Sequence, residues 1–224
     1  MTQLPLAGVR NARDVGGMQT ESGRQLRPLR LLRTGRLNAL TEEDRRWLAS
    51  IGLRTVIDLR QYFEINAWPD ALGPLDVARV NTPPSLEAEA DPAVTLFQLY
   101  LSWVDGSGAA FAEAVRTLAR PGGMPALVHC TAGKDRTGLL VALVLDVLGV
   151  EEKVIVADYM ESDVMLTADP GDIVYNYRIS PDVIVGTLAH IRARYGSAED
   201  YLLTQGVTAQ EIAALRDGLL TAGS

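Results

Sequence analysis

Eight consecutive positions, from His129 to Arg136, hold residue types that are scarce in the rest of the chain. Among 224 residues there are one cysteine, two histidines and two lysines, and one of each lies in this stretch. Cys130 is a candidate nucleophile, and Arg136 offers a planar fork that fits two oxygens of a phosphoryl group. A cysteine that faces an arginine-lined anion pocket is the minimum equipment for phosphoryl transfer through a cysteinyl-phosphate.

The flanking residues predict a strand, a tight loop and a helix around this stretch. Residues 125–128 are short and apolar, as in a buried strand, and residues 139–148 have the pattern of a buried helix. A loop with Gly133 between them directs backbone N–H groups and the helix N-terminus toward one point, which forms an anion site. Positive potential at that point favours the thiolate form of Cys130.

An inert buried cysteine is the alternative for Cys130 taken alone, because free cysteines often behave as small hydrophobic residues. That alternative does not explain the residues that fall in the same turn, which are His129, Gly133, Lys134, Asp135, Arg136 and Thr137. Their clustering favours a catalytic loop.

Residues 129–138 carry a resemblance to a known family. The pattern His-Cys-x5-Arg-Thr resembles the signature of cysteine-dependent protein tyrosine phosphatases, and the fuller sequence resembles the bacterial family of atypical tyrosine phosphatases. Secreted mycobacterial members of that family also act on phosphoinositides. Residues 11–17, 33–35 and 57–60 match further elements of the family, except that Ala12 stands where the family has an aromatic residue.

The resemblance implies a role for each residue of the loop. Cys130 is the nucleophile, Thr137 donates its hydroxyl to the Cys130 sulfur, and His129 orients the loop through backbone hydrogen bonds. The phosphoryl oxygens bind the Arg136 guanidinium and the backbone amides of residues 131–136, which include those of Thr131, Ala132, Gly133 and Lys134. A phosphoryl transition state mainly needs positioning and charge neutralisation, so these donors supply most of the catalysis.

The general acid has two candidates. The family places a candidate aspartate inside the loop, which here is Asp135. Some relatives carry another aspartate just after the strand that matches residues 76–80, but here residues 81–85 contain no carboxylate. Asp135 is therefore the first candidate and Asp91 the second.

Supporting roles are predicted for three further residues. The resemblance implies that Arg13 and Asp14 brace the floor of the active site. Arg60 either contacts the site or forms a structural ion pair with a nearby carboxylate, and the sequence leaves both open. Neither a metal nor a cofactor is predicted, because one cysteine and two histidines far apart in sequence are not a zinc set.

The order of elements predicts an α/β fold, a central, mostly parallel sheet flanked by helices as in cysteine phosphatases. Strands are predicted at residues 29–34, 55–60 and 76–80, and helices dominate the C-terminal third. No linker is evident, so residues 1–224 are expected to form a single phosphatase domain. The acidic, proline-rich start of residues 82–105 makes that region a candidate lid.

The net charge of −7 and the pI of about 4.9 argue against nucleic acid or an anionic membrane surface as partners. A phosphorylated protein or lipid substrate must then be attracted locally, and Lys134 is a candidate second cation for a neighbouring phosphate. We predict no membrane segment and no cleavable signal, hence a cytoplasmic protein, or one exported without such a signal.

The predicted function is hydrolysis of phosphotyrosine, with phosphoserine, phosphothreonine and phosphoinositides as further substrates. Two other classes stay open. A rhodanese-like sulfurtransferase also uses a loop cysteine, although its loop does not typically show this Arg-Thr spacing. A non-catalytic phosphopeptide-binding module is the other, although it has no need of Cys130 and Thr137 together.

Overall fold

Six strands form one sheet in the part of the chain that the computed structural model describes, which is residues 2–87, 91, 93–167 and 179–222. In chain order they are β1 (Thr2–Gln3), β2 (Arg13–Asp14), β3 (Leu31–Thr34), β4 (Thr55–Asp58), β5 (Ala78–Asn81) and β6 (Ala126–His129). Across the sheet the order is β1-β2-β3-β6-β4-β5.

Strands β3, β6, β4 and β5 are parallel, whereas β1 and β2 form an antiparallel edge. The prediction of a mostly parallel sheet is confirmed. In register, the last residue of β6, His129, lies between Thr34 of β3 and Asp58 of β4. The loops that follow these three strands therefore leave the same edge of the sheet, which is where open α/β folds place their sites.

Nine helices are present in the same described part of the chain. They are α1 (Glu42–Ser50), α2 (Tyr62–Ala67), α3 (Leu96–Gly106), α4 (Gly108–Ala119), α5 (Asp135–Val147), α6 (Glu152–Thr167), α7 (Pro181–Tyr195), α8 (Ala198–Thr204) and α9 (Ala209–Leu219). The last four, α6 to α9, confirm the predicted helical C-terminal third. None of the described helices is long and apolar enough to cross a membrane.

Alternate residues of the central strands face two separate apolar clusters. Ile57 and Val128 pack into the larger cluster with the C-terminal helices, while Val56 and Leu127 pack into a smaller cluster with α1. Successive strand side chains point to opposite faces, so a strand buried on both faces reads as a continuous apolar run. The larger cluster surrounds α5, whose residues from Arg136 to Leu145 are all buried.

Helix boundaries near the site differ from the predicted ones for a physical reason. Helix α5 begins at Asp135, whereas its apolar pattern starts only at residue 139, because the residues of its first turn give no apolar signal. Helix α2 was not predicted at all, since six residues are too few for a helical period to stand out.

The candidate lid at residues 82–105 stays a prediction. From Leu96 onward this region is helix α3, and its side chains Tyr100 and Trp103 are fully buried in the larger cluster. Residues 88–90 and 92 lie outside the described residues. So do residues 169–171, for which the sequence Asp-Pro-Gly predicts a turn.

Candidate active site

The cysteine loop joins the end of β6 to the start of α5. Cys130 is 2% exposed, and its sulfur accepts a hydrogen bond from the backbone N–H of Gly133 at 3.2 Å. Gly133 has a φ of +68°, and a Cβ at this position would lie 2.2 Å from the carbonyl oxygen of Thr34. Only glycine fits that conformation and that space, so the loop closes tightly around the sulfur.

Arg136 is held by a carboxylate from a different part of the chain. Its Nη1 lies 2.6 Å from Oε2 of Glu64, its Nη2 lies 2.7 Å from Oε1, and Nη1 also donates to the carbonyl of Leu59 at 3.1 Å. Glu64 further accepts a hydrogen bond from the hydroxyl of Thr131 inside the loop. One carboxylate thus fixes both the arginine and the loop that are expected to bind the phosphoryl group.

Glu64 was not predicted as a site residue from the sequence. Burial by itself raises the pKa of Glu64, but the hydrogen bonds and charge of Arg136 outweigh it and lower the pKa, so the group is a carboxylate at neutral pH. The signal was a capping box: Gln61 is the N-cap of α2, and its N–H donates to Glu64 Oε2 at 2.8 Å. Gln-x-x-Glu directly after a strand indicates a helix start that aims the glutamate back toward the strand end.

Asp135, the first candidate acid, lies at the first position of α5 with its side chain 26% exposed. The hydroxyl of Tyr100 donates to Asp135 Oδ1 at 3.2 Å, and the hydroxyl of Tyr159 lies 2.9 Å from that of Tyr100. Burial raises the pKa of Asp135, although the charges of Lys134 and Arg136 oppose the shift. A raised pKa extends the pH range in which the carboxyl can donate a proton.

Asp91, the second candidate acid, is exposed and accepts a hydrogen bond from the N–H of Ala93 at 2.9 Å. This contact is local, and none of the contacts described for Asp91 reaches the cysteine loop. The geometry therefore favours Asp135.

Thr137 does not make the predicted contact. Its hydroxyl is buried and has no hydrogen-bond partner among the residues that the structure describes. The expected hydrogen bond to the Cys130 sulfur is therefore wrong for this structure, where the amide of Gly133 contacts the sulfur instead.

The back of the loop is held through two of its carbonyl groups. The Asn11 amide donates to the carbonyls of Ala132 and Gly133, each at 3.0 Å, and Nη2 of Arg33 donates to the carbonyl of Gly133 at 2.7 Å. With their carbonyls bound behind the loop, these residues are positioned to present their N–H groups on the opposite side. That side is where an anion would bind.

Arg13 supports the loop indirectly. It forms an ion pair with Asp158 at 2.9 Å and a hydrogen bond with Asn11, while Asp158 also pairs with Arg33. Burial and the charge of Arg33 lower the pKa of Arg13 to about 10, which still leaves it charged at neutral pH. Asp158 thereby links both arginines to helix α6.

The contacts described for Asp14 do not reach the cysteine loop, although Asp14 was predicted to brace the floor of the active site. Its carboxylate accepts hydrogen bonds from the N–H groups of Gly16 and Leu29, both at 2.8 Å. These bonds fix the segment between β2 and β3. Strand alternation explains the difference, because neighbouring strand residues point to opposite faces and Arg13 takes the face toward α6.

Arg60 forms the structural ion pair that was one of its two alternatives. Its Nη2 lies 2.8 Å from Asp58 and 2.7 Å from Asp70. Asp70 in turn lies 3.4 Å from Nε2 of His129, and the His129 Nδ1 lies 3.4 Å from the carbonyl oxygen of Cys130. Arg60 therefore supports the residue before the nucleophile through a carboxylate.

Asp58, Asp70 and His129 are also the one group in the described part of the chain with ligand types and spacing that suit a metal ion. The guanidinium of Arg60 already contacts both carboxylates. The cation of this cluster is therefore an arginine side chain.

Lys134 is buried, with 4% of its side chain exposed, and its Nζ lies 3.8 Å from Asp135 Oδ2. The alternative to a role in substrate binding is a surface ion pair, and Lys134 is too buried to form one. The ammonium lies beside the acid candidate within the loop.

A buried thiol in a tight loop, an arginine in the first turn of the next helix and a neighbouring carboxyl group of raised pKa define a cysteine-dependent phosphatase. The sequence matches the model of the tyrosine phosphatase family over residues 4–221. The chain therefore belongs to the tyrosine phosphatase family, and the predicted resemblance is confirmed.

Two relatives and one solved structure are similar to this chain. A tyrosine-protein phosphatase from Nostoc commune is 33% identical over 221 residues, which cover 86% of this chain and 74% of the relative. The triple specificity protein phosphatase PtpB of Mycobacterium tuberculosis is 30% identical over an alignment of 283 residues, covering 98% of this chain and all of the relative. The crystal structure of P. aeruginosa TpbA is similar with a TM-score of 0.44 and 18% identity, over 81% of this chain and 89% of the other.

Proposed function

We propose that this protein hydrolyses phosphotyrosine through a cysteinyl-phosphate intermediate on Cys130. The observation that carries the proposal is the position of the Cys130 sulfur, at the base of a loop whose arginine is fixed by Glu64. This arrangement places a nucleophile and a bidentate anion donor within one strand–loop–helix unit.

In the first step the Cys130 thiolate attacks phosphorus, and the bond from phosphorus to the tyrosine oxygen breaks. Asp135 gives its proton to the departing phenolate oxygen, so the leaving group departs as a neutral phenol. The guanidinium of Arg136 and the amides of the loop balance the negative charge on the three other phosphoryl oxygens.

In the second step a water molecule attacks phosphorus, and the phosphorus–sulfur bond breaks to restore the thiolate. Asp135, now a carboxylate, takes a proton from the attacking water and returns to its starting state. The products of the two steps are tyrosine and inorganic phosphate.

We also propose that the substrate range extends to phosphoserine, phosphothreonine and phosphoinositides. Support comes from the relative that is named a triple specificity phosphatase and from the buried ammonium of Lys134 in the loop. Lys134→Ala, assayed on a phosphotyrosine peptide and on phosphoinositides, tests this part. Equal losses on all substrates would mean that Lys134 does not favour phosphoinositides over phosphotyrosine. No wild-type activity on phosphoinositides would exclude them as substrates.

Cys130→Ser tests the mechanism. The variant is expected to lose turnover of phosphotyrosine peptide and of p-nitrophenyl phosphate, yet to keep a thermal shift on addition of phosphate, because the amides and Arg136 remain. Substantial turnover by the variant would exclude the covalent mechanism. Sulfur transfer from thiosulfate to cyanide by the wild type would point to a sulfurtransferase, and phosphopeptide binding without turnover would point to a binding module.

A further inference from the structure

Two arginines outside the catalytic loop are tied to it through the backbone. Strands β3 and β6 are parallel neighbours, so the segments that follow them run side by side. The N–H of Arg36 donates to the carbonyl of Thr131 in the loop at 3.0 Å, and the N–H of Gly35 donates to the carbonyl of Arg10 at 2.9 Å. Both arginines therefore belong to the rim of the site.

A small cavity lies between these arginines and the loop. Its volume is about 90 Å³, enough for several water molecules, and its walls include Arg10, Arg36, Thr131 and Ala132. The guanidinium carbon of Arg36 lies 4.7 Å from the centre of the Trp68 ring, a cation–π contact that restrains the side chain. No carboxylate is among the described residues that line the cavity.

The location suits a second anion next to the one that is attacked. Arg10 and Arg36 both line the cavity, so two guanidinium-bearing side chains belong to the wall around one occupant. Thr131 and Ala132 belong both to the catalytic loop and to the cavity wall, so an occupant of the cavity is a close neighbour of the scissile phosphate. Both arginines also have other interactions in the structure.

We propose that this cavity is a subsite for a second phosphate group on the substrate, bound by Arg10 and Arg36. The proposal rests on the proposed function and names its substrate class, which is a small phosphomonoester with another phosphate close to the one removed. The close spacing favours two phosphates on one small ring or chain over two phosphorylated residues of a peptide. A lipid headgroup and a free polyphosphate share this chemistry.

The test compares substrates with one phosphate and with two. Wild type, Arg10→Gln, Arg36→Met and the double variant are assayed on p-nitrophenyl phosphate and on a soluble inositol with two neighbouring phosphates. Methionine at position 36 keeps an apolar stem against Trp68 while removing the charge. Arg46→Gln is the matched control, because its side chain is 72% exposed on α1 and it removes the same charge elsewhere.

Each arginine variant is expected to raise KM for the bisphosphate about tenfold, since one charge-assisted hydrogen bond is lost. The kcat for the bisphosphate and kcat/KM for p-nitrophenyl phosphate should stay within about twofold of wild type, and Arg46→Gln should change neither. Equal losses on both substrates, or no loss on either, would overturn the subsite.

Further experiments distinguish a lipid headgroup from a free polyphosphate as the ligand. They also distinguish failure of the subsite from failure of the proposed function. Equal losses with the headgroup free and in lipid vesicles support a phosphate subsite, whereas a loss with vesicles alone, or with a doubly phosphorylated peptide alone, contradicts it. In Cys130→Ser, pyrophosphate should give a larger thermal shift than phosphate, and Arg36→Lys, which keeps the charge, should retain most of that difference. A wild type that hydrolyses p-nitrophenyl phosphate but does not favour the bisphosphate refutes the subsite and leaves the phosphatase proposal standing.

Discussion

Glu64 of α2 and Arg136 of α5 form a two-point ion pair, with both carboxylate oxygens within 2.7 Å of the two Nη atoms. The pair joins residues that are 72 positions apart in the chain. Glu64 contacts the Nη1–Nη2 edge of the guanidinium, so we expect the Nε–Nη2 edge to face the phosphoryl oxygens. In this arrangement Glu64 is a positioning residue that sets the direction of the arginine fork.

Glu64→Gln is expected to lower kcat/KM for p-nitrophenyl phosphate by about tenfold or more, which corresponds to about 1.4 kcal/mol of transition-state stabilisation. The amide has an acceptor oxygen on one side only, so its NH2 group would face one of the two Nη donors of the arginine and the fork loses its fixed orientation. Steady-state kinetics provide the measurement, and Glu43→Gln on the exposed side of α1 is the matched control.

A double-mutant cycle with Arg136→Lys distinguishes positioning from general destabilisation. If Glu64 acts through the arginine fork, Glu64→Gln should cost much less in the Arg136→Lys background than in the wild type. Additive losses would show that Glu64 acts independently of Arg136.

Asp135→Asn is expected to reduce hydrolysis of an alkyl phosphate far more than hydrolysis of p-nitrophenyl phosphate. An alkoxide leaving group needs a proton, whereas p-nitrophenolate leaves without one. Comparison of kcat for the two substrates provides the measurement. Asp91→Asn is the control and should leave kcat unchanged for both substrates. If Asp135→Asn reduces kcat equally for both substrates, Asp135 has a structural role.

Tyr100→Phe should move the pH dependence of the acid step. The hydroxyl of Tyr100 donates to Asp135 and so stabilises the carboxylate, which lowers the pKa of Asp135 against the effect of burial. The acid must be protonated to act, and that form is lost as pH rises through its pKa. Removal of the hydroxyl should therefore shift the alkaline limb of the kcat profile for an alkyl phosphate to higher pH.

Tyr201→Phe is the control for the loss of a buried tyrosine hydroxyl, since that hydroxyl donates to the carbonyl of Val104. An unchanged alkaline limb in Tyr100→Phe, or an equal shift in Tyr201→Phe, would contradict the assignment of this limb to Asp135.

Asp158→Asn is expected to destabilise the fold by about 3–5 kcal/mol, because it leaves Arg13 and Arg33 buried without their carboxylate. Urea unfolding at neutral pH measures the loss. Asp163→Asn, on the same helix and only partly buried, should cost much less. A loss below about 1 kcal/mol would mean that the two arginines find other partners.

Asp158 also makes the stability of the fold sensitive to acid. Burial opposes ionisation of Asp158, but the charges of Arg33 and Arg13 prevail and lower its pKa below the ordinary 3.8. Its stabilising effect is thus complete above that ordinary value and is lost as pH falls through the lowered pKa. Unfolding free energies measured from pH 5 downward should fall more steeply for wild type than for Asp158→Asn.

Those parts of this protein whose geometry is local could be predicted from the sequence. Cysteine, glycine and arginine within seven positions, between an apolar strand and an apolar helix, predict a loop closed around one point. The fold class followed from the alternation of apolar strands and helices. The nucleophile, the arginine and the first candidate acid were therefore identifiable from residues 125–148.

Only the tertiary structure decided which distant side chains complete the site. Glu64, Tyr100 and Asp158 reach the loop and its supporting arginines from three different helices. Which side chains reach the loop depends on strand order, on strand register and on which face of each helix packs inward. The contacts described for Asp14 depend on the same packing and lie between β2 and β3. The expected contact of the Thr137 hydroxyl with the sulfur is absent among the described residues although both residues belong to the same loop and helix start. Residue spacing fixes neighbours along the chain, whereas packing fixes neighbours across it.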